Sequence, residues 1–335
     1  MEQKKSALRR QDMKMKVLVS AGIGIIISSC FAGCDRKENT PDPNSGGRLF
    51  GITFQTMNNP FFVDLNKGVK QVVEARGDRL VTLDAQWNSL KQRNDISDLI
   101  LQNASGIFIN PVNWEGIKGS LLQAKHKGVP CIVVDAPVKD KGLVLCQVAS
   151  DNVEAGRLAA RALARVCRPA KIVILHLSVN KACIDRVTGF KGELAKYPDM
   201  EILDIQEGKG TTEGARPVMR DLLGRYPDLN AAFPINDPSA LGAISALESA
   251  GKLKDVAVVT VDGSAEGITA IKAGKLLSSS AQFPTEIGRI AAEKMYEHLE
   301  GRPVKKDIKV RVELITKANA DSFLLSSEEN GSSRQ

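Results

Sequence analysis

The chain has 335 residues, 43% of them hydrophobic, and a formal net charge of +7. Residues 1–33 hold six Lys/Arg and two Asp/Glu, so four of the seven excess charges sit there and three are left for the rest of the chain. No Lys/Arg block occurs in that remainder, which removes the basis for a nucleic-acid-binding reading, and the length bounds the fold to one large or two medium domains.

Lys4, Lys5, Arg9, Arg10, Lys14 and Lys16 form a basic lead, followed by an apolar run from Val17 to Ile27 with interspersed Gly and Ser. So short a run reads as a signal peptide over residues 1–33 rather than a spanning helix. Phe31-Ala32-Gly33-Cys34 is similar to the lipobox of bacterial lipoproteins, with Phe31 in place of the usual Leu. By that resemblance Cys34 is lipidated and heads the mature chain. Ile27-Ser28-Ser29-Cys30 is a competing site, and an ordinary cleaved secretory signal is the alternative. Residues 34–47, polar with Pro and Gly, read as a flexible tether.

An apolar strand, Leu49–Phe54, then meets Met57-Asn58-Asn59-Pro60-Phe61-Phe62 and a helical pattern over 62–76. Strand, polar turn, two aromatics and helix place Asn59 and the rings at a strand's C-terminal end, where ligands sit in open α/β sheets. An amide that donates and accepts, beside apolar ring faces, suits a polyol better than a phosphate; a plain turn with two core aromatics is the alternative. Strands are expected at Leu80–Asp84, Gly106–Ile109, Cys131–Asp135 and Val144–Ala149, with helices at 90–103 and 114–127. A second series starts after Ser150-Asp151-Asn152, where Asp151 or Asn152 can cap a helix over 153–166. Its strands are Lys171–Leu177, Glu201–Ile205, Ala231–Pro234 and Val256–Val261, and its helices lie near 185–196, 212–225, 239–250 and 265–273. Such alternation means parallel sheets covered by helices on both faces, and two series imply two similar lobes. A helix from Glu286 to Glu300, a strand from about Lys309 to Ile315 and a polar tail, 318–335, read as disordered, complete the chain.

Cys131, Cys146, Cys167 and Cys183 remain outside the export region; they read as buried free thiols, because no dense cysteine framework exists and the core is large enough without one. There is no Gly-x-Ser-x-Gly, no His-Glu-x-x-His and no P-loop, and Glu213 breaks a possible dinucleotide pattern at Gly208, Gly210 and Gly214. His126, His176 and His298 lack companions for a metal site. Neither an enzyme nor a cofactor or metal is expected.

From Leu49 to about Ile315 the chain resembles the type I periplasmic binding proteins, and within them the ribose-binding group. The motifs, in the family's order, are Asn58-Asn59-Pro60-Phe61-Phe62, Ile109-Asn110-Pro111, Val134-Asp135, Ala149-Ser150-Asp151-Asn152, Ile184-Asp185-Arg186, Ile235-Asn236-Asp237, Val261-Asp262-Gly263 and Ala281-Gln282. The resemblance implies two doubly wound parallel-sheet lobes joined by a three-segment hinge. They would comprise 48–150 plus 283–311 and 151–282 plus 312–317. It puts Asn59, Phe61, Phe62, Asn110, Asp135 and Gln282 at the cleft from the first lobe or hinge, facing Arg186, Asn236 and Asp262 from the second. These residue types suit a sugar: carboxylates accept vicinal hydroxyls, a guanidinium donates in a fork, amides do both, and Phe rings cover C–H faces. Asp135, Asp262 and Asp237 also stand where a carboxylate can merely cap a turn.

Three departures from the ribose pattern stand out. Ala136 replaces an Arg, Val261 replaces a Phe, and Gly208 to Thr211 lacks an expected aromatic. The pocket should be larger or differently shaped, leaving open another pentose, a hexose, a sugar alcohol or a cyclitol. Trp87 and Trp114 follow strands and are either replacement stacking surfaces or rim residues. The expected protein is a monomeric substrate-binding lipoprotein, exported and anchored at the cell membrane, facing the periplasm or cell exterior. It would hand a small neutral carbohydrate or polyol to an ABC permease. A sensory subunit for a receptor kinase or chemoreceptor is the alternative. A lactose-repressor-like regulator would need a DNA-binding helix-turn-helix where the export signal stands. Cys34→Ala should release the protein from membranes in fractionation; continued membrane association would point to Cys30 or to an uncleaved anchor.

Overall fold

The computed structural model describes residues 46–323, and its strands divide between two six-stranded sheets. The expected signal, lipidation site and most of the tether lie outside the described residues. The first sheet holds β1 (Leu49–Phe54), β2 (Arg79–Asp84), β3 (Gly106–Ile109), β4 (Cys131–Val134), β5 (Cys146–Ser150) and β11 (Asp307–Val310). The second holds β6 (Ala170–His176), β7 (Met200–Glu207), β8 (Ala231–Pro234), β9 (Ala257–Asp262), β10 (Ser278–Ala281) and β12 (Glu313–Thr316). Their orders, β2-β1-β3-β4-β5-β11 and β7-β6-β8-β9-β10-β12, are the same pattern repeated. All pairings are parallel except β10 with β12. The chain crosses from the first lobe to the second after β5, returns after β10, and crosses again between β11 and β12.

The central strands β3 and β4 are buried at every position, without polar alternation, because helices cover both faces. The first lobe is wrapped by α1 (Pro60–Glu74), α2 (Ser89–Leu101), α3 (Lys118–His126) and α9 (Pro284–Leu299); the second by α4 (Asn152–Val166), α5 (Lys181–Leu194), α6 (Thr212–Arg225), α7 (Asp237–Ser249) and α8 (Ala265–Lys272). Polar residues after the strands cap the helices that follow: Asn59 on α1, Asn180 on α5 and Asn236 on α7 each accept a backbone N–H through the side-chain oxygen. This puts amides at the mouths of both sheets.

Glycines let helix pairs approach backbone to backbone. A methyl group added at Gly156 of α4 would lie 1.9 Å from the Arg186 carbonyl oxygen, and one at Gly189 of α5 would lie 1.9 Å from that of Val153. The first lobe repeats the device: Gly68 of α1 faces Thr285 O at 2.2 Å and Gly288 of α9 faces Leu65 O at 2.1 Å.

Several expectations are corrected. The single strand expected over 309–315 is two, β11 and β12, in different sheets; its extended pattern continues through Arg311 and Val312 while its partner strand changes. β10 was not expected, since Ser278-Ser279-Ser280 has little strand propensity. It is buried with two of its three hydroxyls partnered: Ser279 Oγ donates to Asp237 Oδ1 (2.8 Å) and Ser280 Oγ to Ala155 O (2.9 Å), while Ser278 Oγ has no partner among the described residues. β5 starts at Cys146, as residues 141–143 form a 3-10 turn, and α5 starts at Lys181 on the Asn180 cap rather than near 185. The tail read as disordered from 318 is partly packed. Ala320 is fully buried in the second lobe, and the Asn319 side chain accepts from Thr316 N and donates to Leu314 O. Residues 324–335 lie outside the described range. Cys131, Cys146, Cys167 and Cys183 are free.

Gly189→Ala should destabilise the protein by about 1–3 kcal/mol in thermal unfolding, because the methyl drives α4 and α5 apart. Gly192→Ala, on the same helix with no heavy atom within 4 Å of the added carbon, should be neutral or stabilising by up to about 1 kcal/mol. Equal effects would remove the close crossing as a stability determinant.

Candidate functional site

A cavity of about 330 Å³ lies between the C-terminal ends of the two sheets. This is the crevice that doubly wound sheets leave for ligands. The first lobe contributes Asn59, Phe61 and Phe62 from the turn after β1 and Asp135 from the end of β4; the second contributes Arg186 from α5, Asn236 from the end of β8 and Asp262 from β9; Gln282 lies on the crossover after β10.

Phe61 and Phe62 meet edge to face, centroids 5.3 Å apart, and Phe62 leans on Phe54 of β1 at 5.7 Å. Both rings are buried, and both form part of the cavity wall. Asn59 Oδ1 accepts from Phe61 N (2.9 Å) as the α1 cap, leaving Nδ2 for other partners. Asn236 is more fully committed: Oδ1 accepts from Ser239 N (3.1 Å) and Nδ2 donates to Gly210 O (2.9 Å).

Asp135 and Asp262 occupy equivalent places, at the ends of the fourth strands counted from the β2 and β7 edges. Both have positive φ, 65° and 137°, which an L-residue adopts at a cost that persists where the surroundings over-determine it. Asp135 accepts from Asn110 Nδ2 at 2.9 Å through Oδ2 and has no protein donor on Oδ1 among the described residues. Burial pushes its carboxyl up to about 7, although Arg186 and the Asn110 hydrogen bond pull the other way. Asp262 accepts from Gln282 Nε2 (2.7 Å) and Arg186 Nη1 (3.5 Å) on Oδ1, and from Asp237 N (3.3 Å) on Oδ2. Burial raises its carboxyl too, against the pull of Arg186.

Arg186 is 4% exposed and is held from behind. Its Nε donates to Asn152 Oδ1 (2.8 Å) and its Nη1 to Ile235 O (2.8 Å), while Nη2 has no protein acceptor among the described residues. Gln282 Oε1 is likewise buried and unpartnered. The cavity therefore presents free donors and free acceptors side by side.

Asn110, also expected at the cleft, is not among the residues that line the cavity. It is fully buried behind the wall, its Oδ1 accepting from Gln55 N (3.1 Å) and its Nδ2 serving Asp135. Gln92 of α2 closes this network, donating to Asn110 O (2.8 Å) and accepting from Val112 N (2.8 Å). Asn110 supports the Asp135 carboxylate from behind. Asp151 caps α4, accepting from Glu154 N (3.3 Å), while Asn152 orients Arg186. Asp237 does not cap its helix either: buried beside Asp262, it accepts from Ser264 N, Ser264 Oγ and Ser279 Oγ at 2.7–2.8 Å, and burial with the neighbouring carboxylate pushes it up to about 7.

Trp87 lines the cavity and packs on the second lobe's core, and Trp114 lies outside the cavity wall. Trp114 nevertheless reaches the other lobe: its N–H donates to Val179 O (3.2 Å), and Lys181 Nζ sits 5.9 Å from the ring centroid. Gly210 stands on the wall with φ 68°, and a methyl group added there would lie 3.1 Å from Leu177 Cδ2; Ala136 and Val261 are buried. Sequence reasoning missed Gln55 and Asn180, which also line the cavity. Their signals were a polar residue directly after a buried strand and a cap two residues before Ala182.

Among the described residues no helix is long and apolar enough to cross a membrane, and no group of three or more His, Cys, Asp or Glu could hold a metal ion. Residues 50–303 match the family model for the periplasmic binding protein domain. The ribose import binding protein of Bacillus subtilis (strain 168) is 35% identical over 281 residues, covering 82% of this chain and 90% of that protein. The xylitol-binding protein of Mycolicibacterium smegmatis is 28% identical over 315 residues, 92% of this chain and 87% of its own. Among solved structures, the periplasmic binding component of the arabinose transporter of Shewanella sp. ANA-3, bound to L-arabinofuranose, superposes with a TM-score of 0.79 at 28% identity, covering 85% of this chain and 97% of that one. Matched by sequence over most of its length, the chain belongs to the periplasmic binding protein domain family.

Proposed function

We propose that this protein is the solute-binding component of an ABC importer, capturing a sugar or polyol between its lobes and passing it to the permease. One observation carries the reading: Asp135 on one lobe and Arg186 with Asp262 on the other line a single cavity beside the Phe61 and Phe62 rings. A polyhydroxylated ring meets this wall with hydroxyl donors on Asp135, Asp262 and Gln282 Oε1. Its oxygens accept from Arg186 Nη2 and Asn59 Nδ2, and its C–H faces lie on the rings. The closed form gains these bonds only with ligand present, so ligand shifts the open–closed equilibrium toward closure about the three crossovers. A ligand lacking one hydroxyl leaves a buried group unpaired, at about 1–3 kcal/mol.

By the same reading the protein is exported, held at the membrane by lipid on Cys34, and acts as a monomer that captures its solute without transforming it. More than one acyl chain gives lasting attachment, and the tether leaves the lobes free. The family relatives are named for ribose, xylitol and arabinose. Ala136, Val261 and Gly210, where the ribose pattern has an Arg and two aromatics, favour a solute of different outline from ribose.

The test is a thermal-shift screen of the mature protein against pentoses, hexoses, polyols and cyclitols. A true ligand at 100 times its Kd should stabilise by about 2.7 kcal/mol, with the shift growing as the logarithm of concentration. No shift from any of the four classes would overturn the proposal. Arg186→Ala and Asp262→Ala should each weaken binding at least ~10-fold while the unliganded protein still unfolds cooperatively, since each removes a charge-assisted bond worth about 1.5–3 kcal/mol. Unchanged affinity would take that residue out of the site.

Affinity should also depend on pH. The Asp135 carboxyl, raised to about 7 in the unliganded cleft, must be ionised to accept a ligand hydroxyl on Oδ1 while Oδ2 accepts from Asn110. Protons therefore compete with ligand below that value, and Kd should rise up to ~10-fold per pH unit as pH falls from 7 to 5 and flatten above it. Calorimetric titrations from pH 5 to 8 would show this. A flat profile, or tighter binding in acid, would refute it.

A further inference from the structure

We infer that Gln55 reads the ligand through its side-chain N–H₂ group, and that Asn180 on the opposite lobe fixes which end of that amide faces the cavity. The inference rests on the proposed sugar or polyol ligand. Gln55 is 5% exposed and follows β1, on the cavity wall. Its main chain is fully engaged: the N–H donates to Asn110 Oδ1 (3.1 Å) and the carbonyl accepts from Trp87 N (2.6 Å). Only the side chain is left to choose a partner.

That choice is made across the cleft. Asn180, 3% exposed, caps α5 by accepting from Cys183 N (3.2 Å) through Oδ1. With the oxygen committed, Asn180 can offer only its N–H₂ group, and Nδ2 donates to Gln55 Oε1 at 3.2 Å. The Gln55 oxygen is thereby turned toward Asn180. Its Nε2 is left with no protein acceptor among the described residues, at the cavity wall. The orientation is settled by a chain of commitments that begins at the α5 N-terminus.

The same amide, Asn110, holds both Gln55 and Asp135: its Oδ1 takes the Gln55 N–H and its Nδ2 takes Asp135 Oδ2. A donor and an acceptor are thus mounted on one buried support. They suit one ligand hydroxyl, which accepts from Gln55 Nε2 and donates to Asp135. Because Asn180 belongs to the second lobe, Gln55 is oriented for this contact only in the closed form. Asn180 is a positioning residue and Gln55 the contacting one.

The test titrates the mature protein with whichever pentose, hexose, polyol or cyclitol gives the largest thermal shift with the wild type. Gln55→Met keeps the side-chain length and removes both polar ends; it should weaken binding about 10-fold or more. Asn180→Asp keeps the helix cap but can only accept, so Gln55 must turn its N–H₂ toward it and show oxygen to the cavity; a similar loss is expected. The double variant should bind no more weakly than Gln55→Met alone, because Asn180 acts through Gln55. Wild-type affinity in Gln55→Met overturns the inference, as does a double variant whose losses add in full. Melting temperatures without ligand separate lost binding from lost folding. A ligand-bound crystal structure of the wild type gives an independent answer: a ligand oxygen within about 3.2 Å of Gln55 Nε2 supports the inference, and none within about 4 Å refutes it. If no compound shifts the wild type, the proposed ligand class falls and this inference falls with it. If the wild type responds and Gln55→Met responds equally, only this inference falls.

Discussion

Two carboxylates on different lobes face one guanidinium in a buried space, and the rest of the molecule is arranged around that imbalance. Asp135 and Asp262 are both raised by burial, and Arg186 pulls both back. Charges taken out of water in this way are costly unless hydrogen-bonded on every side. The protein supplies part of that: Asn110 to Asp135, Gln282 and Arg186 to Asp262, and Asn152 and the Ile235 carbonyl to Arg186. The remaining valences, on Asp135 Oδ1, Arg186 Nη2 and Gln282 Oε1, are what a ligand satisfies under the proposed function. Empty closure is thereby disfavoured without any clash, and recognition and closure become one event.

For that to work, each lobe must carry its share of the site as a unit. The reciprocal glycine contacts between α4 and α5, and between α1 and α9, press main chain against main chain. There is little slack in such a contact, because interiors packed this closely respond to strain by moving whole elements. The Gly156 contact is with the carbonyl of Arg186 itself, so the guanidinium is tied through α5 to α4 and the sheet beneath. Under the proposed function, change of shape is left to the three crossings between sheets, after β5, after β10 and between β11 and β12.

The alternation of strands and helices was legible because periodicity survives wherever burial is regular. Of the twelve strands among the described residues, nine, β1 to β9, were expected at nearly these positions, and one further expected strand covers both β11 and β12. What was not legible depended on partners distant in sequence. Ser278–Ala281 forms a strand because Asp237 and the Ala155 carbonyl accept its hydroxyls, and nothing in the segment announces this. Of the residues expected at the site, Asn110 alone lies off the cavity wall, its amide consumed by Gln55 and Asp135. Asn152 was read as a cap or hinge residue, but its neighbour Asp151 does the capping and frees it to hold Arg186. An amide's role follows from which of its two ends is already taken, and a sequence does not record that.

The chain's two tryptophans, Trp87 and Trp114, both sit on the first lobe, and both touch the second. The Trp87 indole packs on the second lobe's core and the Trp114 indole has Lys181 Nζ of α5 5.9 Å from its ring centroid, so by the proposed reading an opening of the cleft changes the surroundings of both. Native emission from this protein is therefore a lobe-separation signal free of any background from indoles buried elsewhere. Its colour and its accessibility to a dissolved quencher report the hinge angle in solution, with no label attached.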